Sequence, residues 1–223
     1  MKNLDIQYIE DEFVQRIDDV QLLMDTTHDD KNSIPSDVQK NIRGLAIVTL
    51  FGTYERLLHQ LCTEIVETAS SFKGNQKRLQ LPFRIIGLSS QIKALRDPST
   101  GKAKLWTEVM PQIVDASKKR ANDLDKKFWP DSGDYMKYNQ LKLFCDFFHL
   151  QKSLNALGKV NNLIDGIVAQ RNRIAHGESS PAQIGSTYSP NDIYQLVSDW
   201  KSGWIAFLNS VLVITADEHY WHN

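Results

Sequence analysis

One short stretch of the chain, "QRNRIAHGESS" (170–180), concentrates residues that can do chemistry. His176 carries an imidazole, the side chain whose ordinary titration lies closest to neutrality, so it can give or take a proton. Arg171 carries a permanent planar cation with a fork of donors suited to oxyanions. The two are five residues apart, with Asn172 directly after the arginine. On a helix, five residues correspond to ~7.5 Å along the axis and ~140° around it. The two groups therefore do not face the same way, although a long arginine side chain can still converge with an imidazole. Asn172 and His176, four apart, share a face.

The element that must position them is an amphipathic helix. Val160, Leu163, Ile164, Ile167, Val168, Ile174 and Ala175 follow the spacing of a core-facing stripe. The next member after Val168 is Arg171, and a cation on an apolar stripe must snorkel, pair with a carboxylate or face a polar pocket. Gly177 is a natural helix terminator, which places His176 at the helix end, beside carbonyls that favour a cation. A second irregularity lies in "LFGTYERLLHQL", where Glu55 stands among Phe51, Tyr54, Leu58 and Leu61. Glu55 and Arg171 are expected to meet across the helix pair and neutralise one another. Spacing alone leaves two readings open: a reactive site, or a structural ion pair beside a histidine that merely ends a helix.

The wider sequence is helical in period throughout. Leu4, Ile6, Ile9, Phe13, Ile17, Val20 and Leu23 mark a first helix that fades in "TTHDDKNS". Ser33, Pro35 and Ser36 open a long apolar second helix. Residues 70–102 contain Gly74, Pro82, Gly87, Pro98 and Gly101 and read as loops around a short helix. A helix from Ala103 to Lys127 comes next, broken or kinked at Pro111, and then a turn at 129–134. Beyond it lie a helix near 135–150, a bend near Gly158 and the Arg171 helix. Ser189, Pro190 and Asp192 start a last helix with Ile193, Leu196, Val197, Trp200, Trp204, Leu208 and Val211 on one stripe. The expected fold is all-α: one helical-bundle domain over 1–223 with an irregular insertion around 70–102.

Composition limits function. The chain has 223 residues, 41% hydrophobic and 24% charged, with net charge −1. That balance argues against a broad basic nucleic-acid surface but leaves room for a local phosphate site. Cys62 and Cys145 sit in apolar helical settings and read as buried thiols in a reducing compartment. No signal peptide and no membrane-length apolar run appear, so a cytoplasmic protein without a membrane partner is expected. His219 and His222 near Asp217 and Glu218 could bind a metal, but a frayed polar terminus is the simpler reading. "KKR" (118–120) with Lys126 and Lys127 reads as the solvated face of a helix, because Asp115, Asp123 and Asp125 interleave with it; an RNA cradle is the alternative. Trp106, Trp129, Trp200, Trp204 and Trp221 read as packing anchors.

"RNRIAHG" (171–177), with the "YE" pair Tyr54–Glu55 on an earlier long helix, resembles the signature of the HEPN superfamily, and the chain looks most similar to its RiboL-PSP branch. The resemblance covers about residues 40–215, with 171–177 the specific part. It implies a helical-bundle homodimer with facing motif helices, Arg171 and His176 as catalytic pair, Asn172 assisting, and Glu55 as a weaker carry-over. It implies a ribonuclease that needs no metal or cofactor, cleaving RNA to 2′,3′-cyclic phosphate ends as a toxin or phage-defence effector under a partner such as an antitoxin. The alternative is a catalytically silent dimer serving as scaffold or as an RNA- or nucleotide-binding subunit. Some members are silenced by modification of a tyrosine two residues after the motif histidine; that position here is Glu178, so this form of control is not expected.

Overall fold

The computed structural model describes residues 1–29, 31–97, 101–116, 118–121, 124 and 136–222. The turn expected at 129–134, Trp129, Asp123, Asp125, Lys126 and Lys127 lie outside the described residues. Within them the chain is all-α: helices joined by turns, with two isolated bridges, Asn75 to Arg120 and Leu79 to His222.

The chain divides into two compact units, one of Met1–Asp5, His59–Asp131 and Leu212–Asn223, the other of Ile6–Leu58 and Ser132–Val211. The second, larger unit contains α1 (Gln7–His28). It takes α2 (Ser36–Ser70) as far as Leu58. It also contains α7 (Tyr138–Phe147), α8 (Gln151–Ala156), α9 (Val160–Ala175), α10 (Pro181–Gly185) and α11 (Pro190–Thr215) as far as Val211. On α1 the buried face is Ile9, Phe13, Ile17, Val20, Met24 and Thr27. Leu23, expected on that face, is instead 42% exposed. Met24 takes its place, because four residues after Val20 keeps the stripe aligned where three does not. The helix also continues through "TTH" rather than fading there, since Thr27 is buried and bonds back to the Leu23 carbonyl at 2.7 Å.

The centre of this unit is aromatic. Tyr54 lies 6.0 Å from Trp200 and 4.9 Å from Trp204, and Phe51 meets Tyr54 edge-on at 6.5 Å. All four rings are essentially inaccessible. Burying each such side chain contributes roughly 1.5–3 kcal/mol, and edge-on ring pairs add about 0.5–1.5 kcal/mol. The expected α11 stripe is buried except for Leu196, which is partly exposed. Before α9 the chain breaks twice. Gly158 has φ 55, as the bend there requires. His149 has φ 57, held between buried Phe148 and Leu150, where the Leu150 amide donates to the Cys145 carbonyl at 2.7 Å. Both cysteines are free and buried, and burial pushes the Cys145 thiol up to about 12.

The smaller unit is more helical than expected. Residues 70–102 hold a 3₁₀ turn (Gln76–Arg78), α3 (Leu81–Gly87) and α4 (Ser89–Arg96). Then come α5 (Lys102–Lys104), a π turn (Leu105–Val109) and α6 (Met110–Ala116). Pro111 is accommodated because the wide π turn precedes it, where a regular helix would set its ring against a carbonyl. Lys118–Arg120 form a turn and a bridge rather than a helical face, and Trp106 is 68% exposed rather than a packing anchor. Residues 217–222 are not frayed: buried Trp221 stacks on Phe83 at 5.5 Å and its indole donates to the Thr215 carbonyl at 2.8 Å.

Three elements of the larger unit meet at Arg43, a buried cation whose role no local pattern announces. Its Nε donates to the Gly185 carbonyl at 2.9 Å and a terminal nitrogen lies 3.0 Å from His28 Nε2. The guanidinium can only donate, so Nε2 accepts and His28 Nδ1 carries the proton, which it gives to the Met24 carbonyl at 3.1 Å. Burial lowers the His28 pKa below 6.5 and the Arg43 charge adds to this, while the Met24 bond opposes it. The folded chain therefore binds that proton less tightly than the unfolded chain. The resulting stability is present above the ordinary histidine range and is lost as pH falls through it. Resistance to thermal unfolding should weaken between about pH 7 and about pH 5.5, and His28→Gln should flatten that decline; equal pH profiles for the two proteins would contradict the assignment.

Candidate active site

Of the expected α9 stripe, Val160, Ile164, Ile167 and Val168 are buried, Leu163 and Ile174 are partly exposed, and Ala175 is exposed. Ala175 lies on the same side of the helix as Val168, but it is the last helical residue, where the chain turns away. Arg171 continues the buried face and is itself half-buried, as its spacing requires. It does not pair with Glu55: no ion pair joins them among the described residues. Instead the guanidinium carbon lies 4.5 Å above the Phe51 ring, and one terminal nitrogen donates to Asn172 Oδ1 at 3.0 Å. Phe51 is one turn before Glu55 on α2, so the guanidinium settles one turn away from the expected acid. A flat cation on a flat ring needs no desolvated carboxylate, which removes the cost of burying a second charge.

His176 is the C-cap of α9 and is exposed. The helix ends as a Schellman motif: the Glu178 amide donates to the Arg173 carbonyl at 2.9 Å and the Gly177 amide to the Ile174 carbonyl at 3.1 Å. Gly177 takes φ 73, a left-handed conformation that glycine adopts without penalty. The His176 amide is held by the Asn172 carbonyl at 2.9 Å. The imidazole thus hangs from a rigid cap, and with Gly166, Ala169 and Arg173 it forms one exposed stripe at 3-4-3 spacing.

The segment after the cap is also fixed. Arg173 reaches over the turn to Ser179 Oγ at 2.8 Å and to Gln170 at 3.3 Å, so it serves as a strut. Ser180 and Gln183 form a capping box that opens α10, with Pro181 in its first turn. A Cβ on Gly185 would lie 1.8 Å from the Lys40 carbonyl oxygen, and one on Gly44 would lie 2.0 Å from that of Pro181. Backbone therefore packs directly on backbone between α2 and α10. The sequence reading missed this anchoring. Its signal is the Ser180–Pro181–x–Gln183 pattern, which repeats the Ser189–Pro190–x–Asp192 box that opens α11.

A hollow of about 470 Å³ lies beside the first half of α9, lined by Asn162, Gly166, Tyr188, Asp192 and Asp199 among others. Its two carboxylates make it a poor seat for phosphate. Arg171, Asn172 and Phe51 are thus brought together, His176 is set on the same helix facing outward, and Glu55 stands apart from the group.

If the ring holds the cation, Phe51→Leu and Arg171→Ala should not act independently on stability. Denaturant unfolding of both single variants and the double variant should give a coupling of about 0.5–1 kcal/mol. Strict additivity would mean that the ring does not hold it.

A family model described as RiboL-PSP-HEPN matches residues 11–202, a span that contains α9, all of α2 and half of α11. No curated protein and no solved structure matches the chain. The fixed Arg-Asn-x-x-x-His helix end on an all-α frame agrees with that match, and the chain belongs to the RiboL-PSP branch of the HEPN superfamily.

Proposed function

We propose that this chain is a metal-independent endoribonuclease that cleaves RNA to 2′,3′-cyclic phosphate ends, with its active site completed by a second copy of the chain. The observation that carries the reading is the guanidinium of Arg171 held on Phe51 and Asn172, with an exposed imidazole on a rigid cap five residues further along the same helix. In such a cleavage the RNA 2′-hydroxyl loses a proton and attacks the adjacent phosphorus, while the 5′-oxygen leaves and gains a proton. The reaction needs a base, an acid and a cation for the phosphorane charge. Arg171 supplies the cation, with the rest of its donor fork left for nonbridging oxygens. Asn172 spends its Oδ1 on Arg171, so its contribution to a substrate is the amide donor.

Each chain brings one histidine to this place. His176 of one copy takes the proton and His176 of the other gives one. The exposed stripe supports the pairing, since Gly166 and Ala169 carry almost no side chain and a Cβ on Gly166 would meet nothing within 4 Å. A second helix can approach closely there. Glu55 has no part in holding Arg171. The chain acts as a toxin or defence effector in the cytoplasm, with a neutralising partner protein.

Expression of the wild type should arrest growth and leave RNA with 2′,3′-cyclic phosphate ends. His176→Ala and Arg171→Ala should abolish both, with at least roughly a 100-fold loss of cleavage expected for removal of a proton-transfer group. Equal effects from all three proteins would reject the enzyme and leave a binding or scaffold role.

A further inference from the structure

The cations of this chain are unevenly placed. Residues 73–120 carry eleven Lys and Arg against three Asp and Glu, although the whole chain has 26 against 27. The segment belongs entirely to the smaller unit. At one corner of that unit its cations are gathered by the backbone. The Gln76 amide donates to the Lys119 carbonyl at 2.9 Å, and the buried Gln76 side chain donates to the Arg120 carbonyl at 3.2 Å. These bonds set Lys77 and Arg78 beside Lys119 and Arg120. The Arg78 guanidinium lies 5.7 Å over Phe72, whose ring stacks on His222 at 4.7 Å. Ser70, Ser71, Phe72, Lys73 and Arg120 line a depression of about 500 Å³.

Lys73, Lys77, Arg78, Lys119 and Arg120 are all exposed, and none is ion-paired with a described residue. Such a cluster repels itself, and an incoming polyanion relieves it while releasing its own counterions. A second feature adjoins the first. Leu81, Ile85, Leu88 and Ile113 line an apolar pocket of about 260 Å³, with Lys77 and Arg84 at its rim. A duplex has no free base to place there, and an acidic peptide has no planar apolar group at each charge. A single strand offers both phosphates and unstacked bases.

We infer that this corner is a docking surface for single-stranded RNA, with phosphates on Lys73, Arg78 and Arg120 and an unstacked base in the pocket beside Lys77. The identity of the polyanion rests on the ribonuclease reading; the residues are separate from Arg171 and His176. The surface gives the enzyme affinity that the acidic hollow beside α9 does not.

The test is the anisotropy of a labelled single-stranded 2′-O-methyl RNA, which binds but lacks the attacking hydroxyl. Lys73→Ala/Arg120→Ala should bind at least roughly ten-fold more weakly than the wild-type chain. Its salt dependence should be shallower by about 1.4 in log K against log salt, near 0.7 for each lost phosphate contact. Leu81→Ser should weaken binding without changing that slope. Unchanged affinity and slope in the double variant would overturn the proposal, as would equal competition by 2′-O-methyl duplex or by polyglutamate. Because the probe cannot be cleaved, the two readings fail separately. Lost binding in the double variant sustains the surface even where no cyclic phosphate ends are made, and cleavage with unchanged binding removes the surface alone.

Discussion

A guanidinium resting on an aromatic ring organises this molecule. Arg171 occupies a core-facing position of α9, where an apolar residue would ordinarily stand, and it is held there by Phe51 rather than by an acid. The ring is not isolated. It abuts Tyr54, which abuts Trp200 and Trp204, so the cation stands at the outer end of a row of packed aromatics. The order of the core is thereby passed to a charged group at the surface. A carboxylate partner would have spent the donors of the guanidinium; a ring leaves most of them unused.

The histidine is positioned by different means. Its side chain is exposed, so packing cannot fix it. The backbone fixes only the point from which it projects, through a left-handed glycine, two reversed amide bonds and the strut from Arg173 to Ser179. Behind that turn, α10 lies against α2 with glycine on both sides of the contact, and Arg43 bonds the Gly185 carbonyl. One chain thus carries a cation held against its core and an exposed imidazole borne on a backbone-fixed cap, on different sides of one helix. In the proposed enzyme a second copy of the chain supplies the second proton-transfer group that one chain lacks.

Much of this was legible in the residues. The α9 stripe, the helix stop at Gly177 and the box at Ser189 all obey local rules of period and capping. What escaped depended on contacts far apart in sequence. Nothing near position 171 says whether its partner is Glu55 or Phe51, because both lie on the same side of α2 one turn apart. The break at His149 carries no glycine or proline to announce it. The five-residue α10 is too short to show a period, although its capping box is written as plainly as that of α11. Net charge misled in a similar way: a value near zero averages a basic segment at 73–120 with an acidic remainder.

In the proposed enzyme two imidazoles, one from each of two copies, act on one phosphodiester. Dimers formed at random from equal amounts of wild-type and His176→Ala chains separate this from a one-histidine scheme. If both histidines are needed, only wild-type pairs cleave, and activity falls to about a quarter of an all-wild-type sample of the same concentration. Activity of about one half, in proportion to the wild-type chains present, would mean that a single histidine suffices and that the second copy supplies no proton-transfer group.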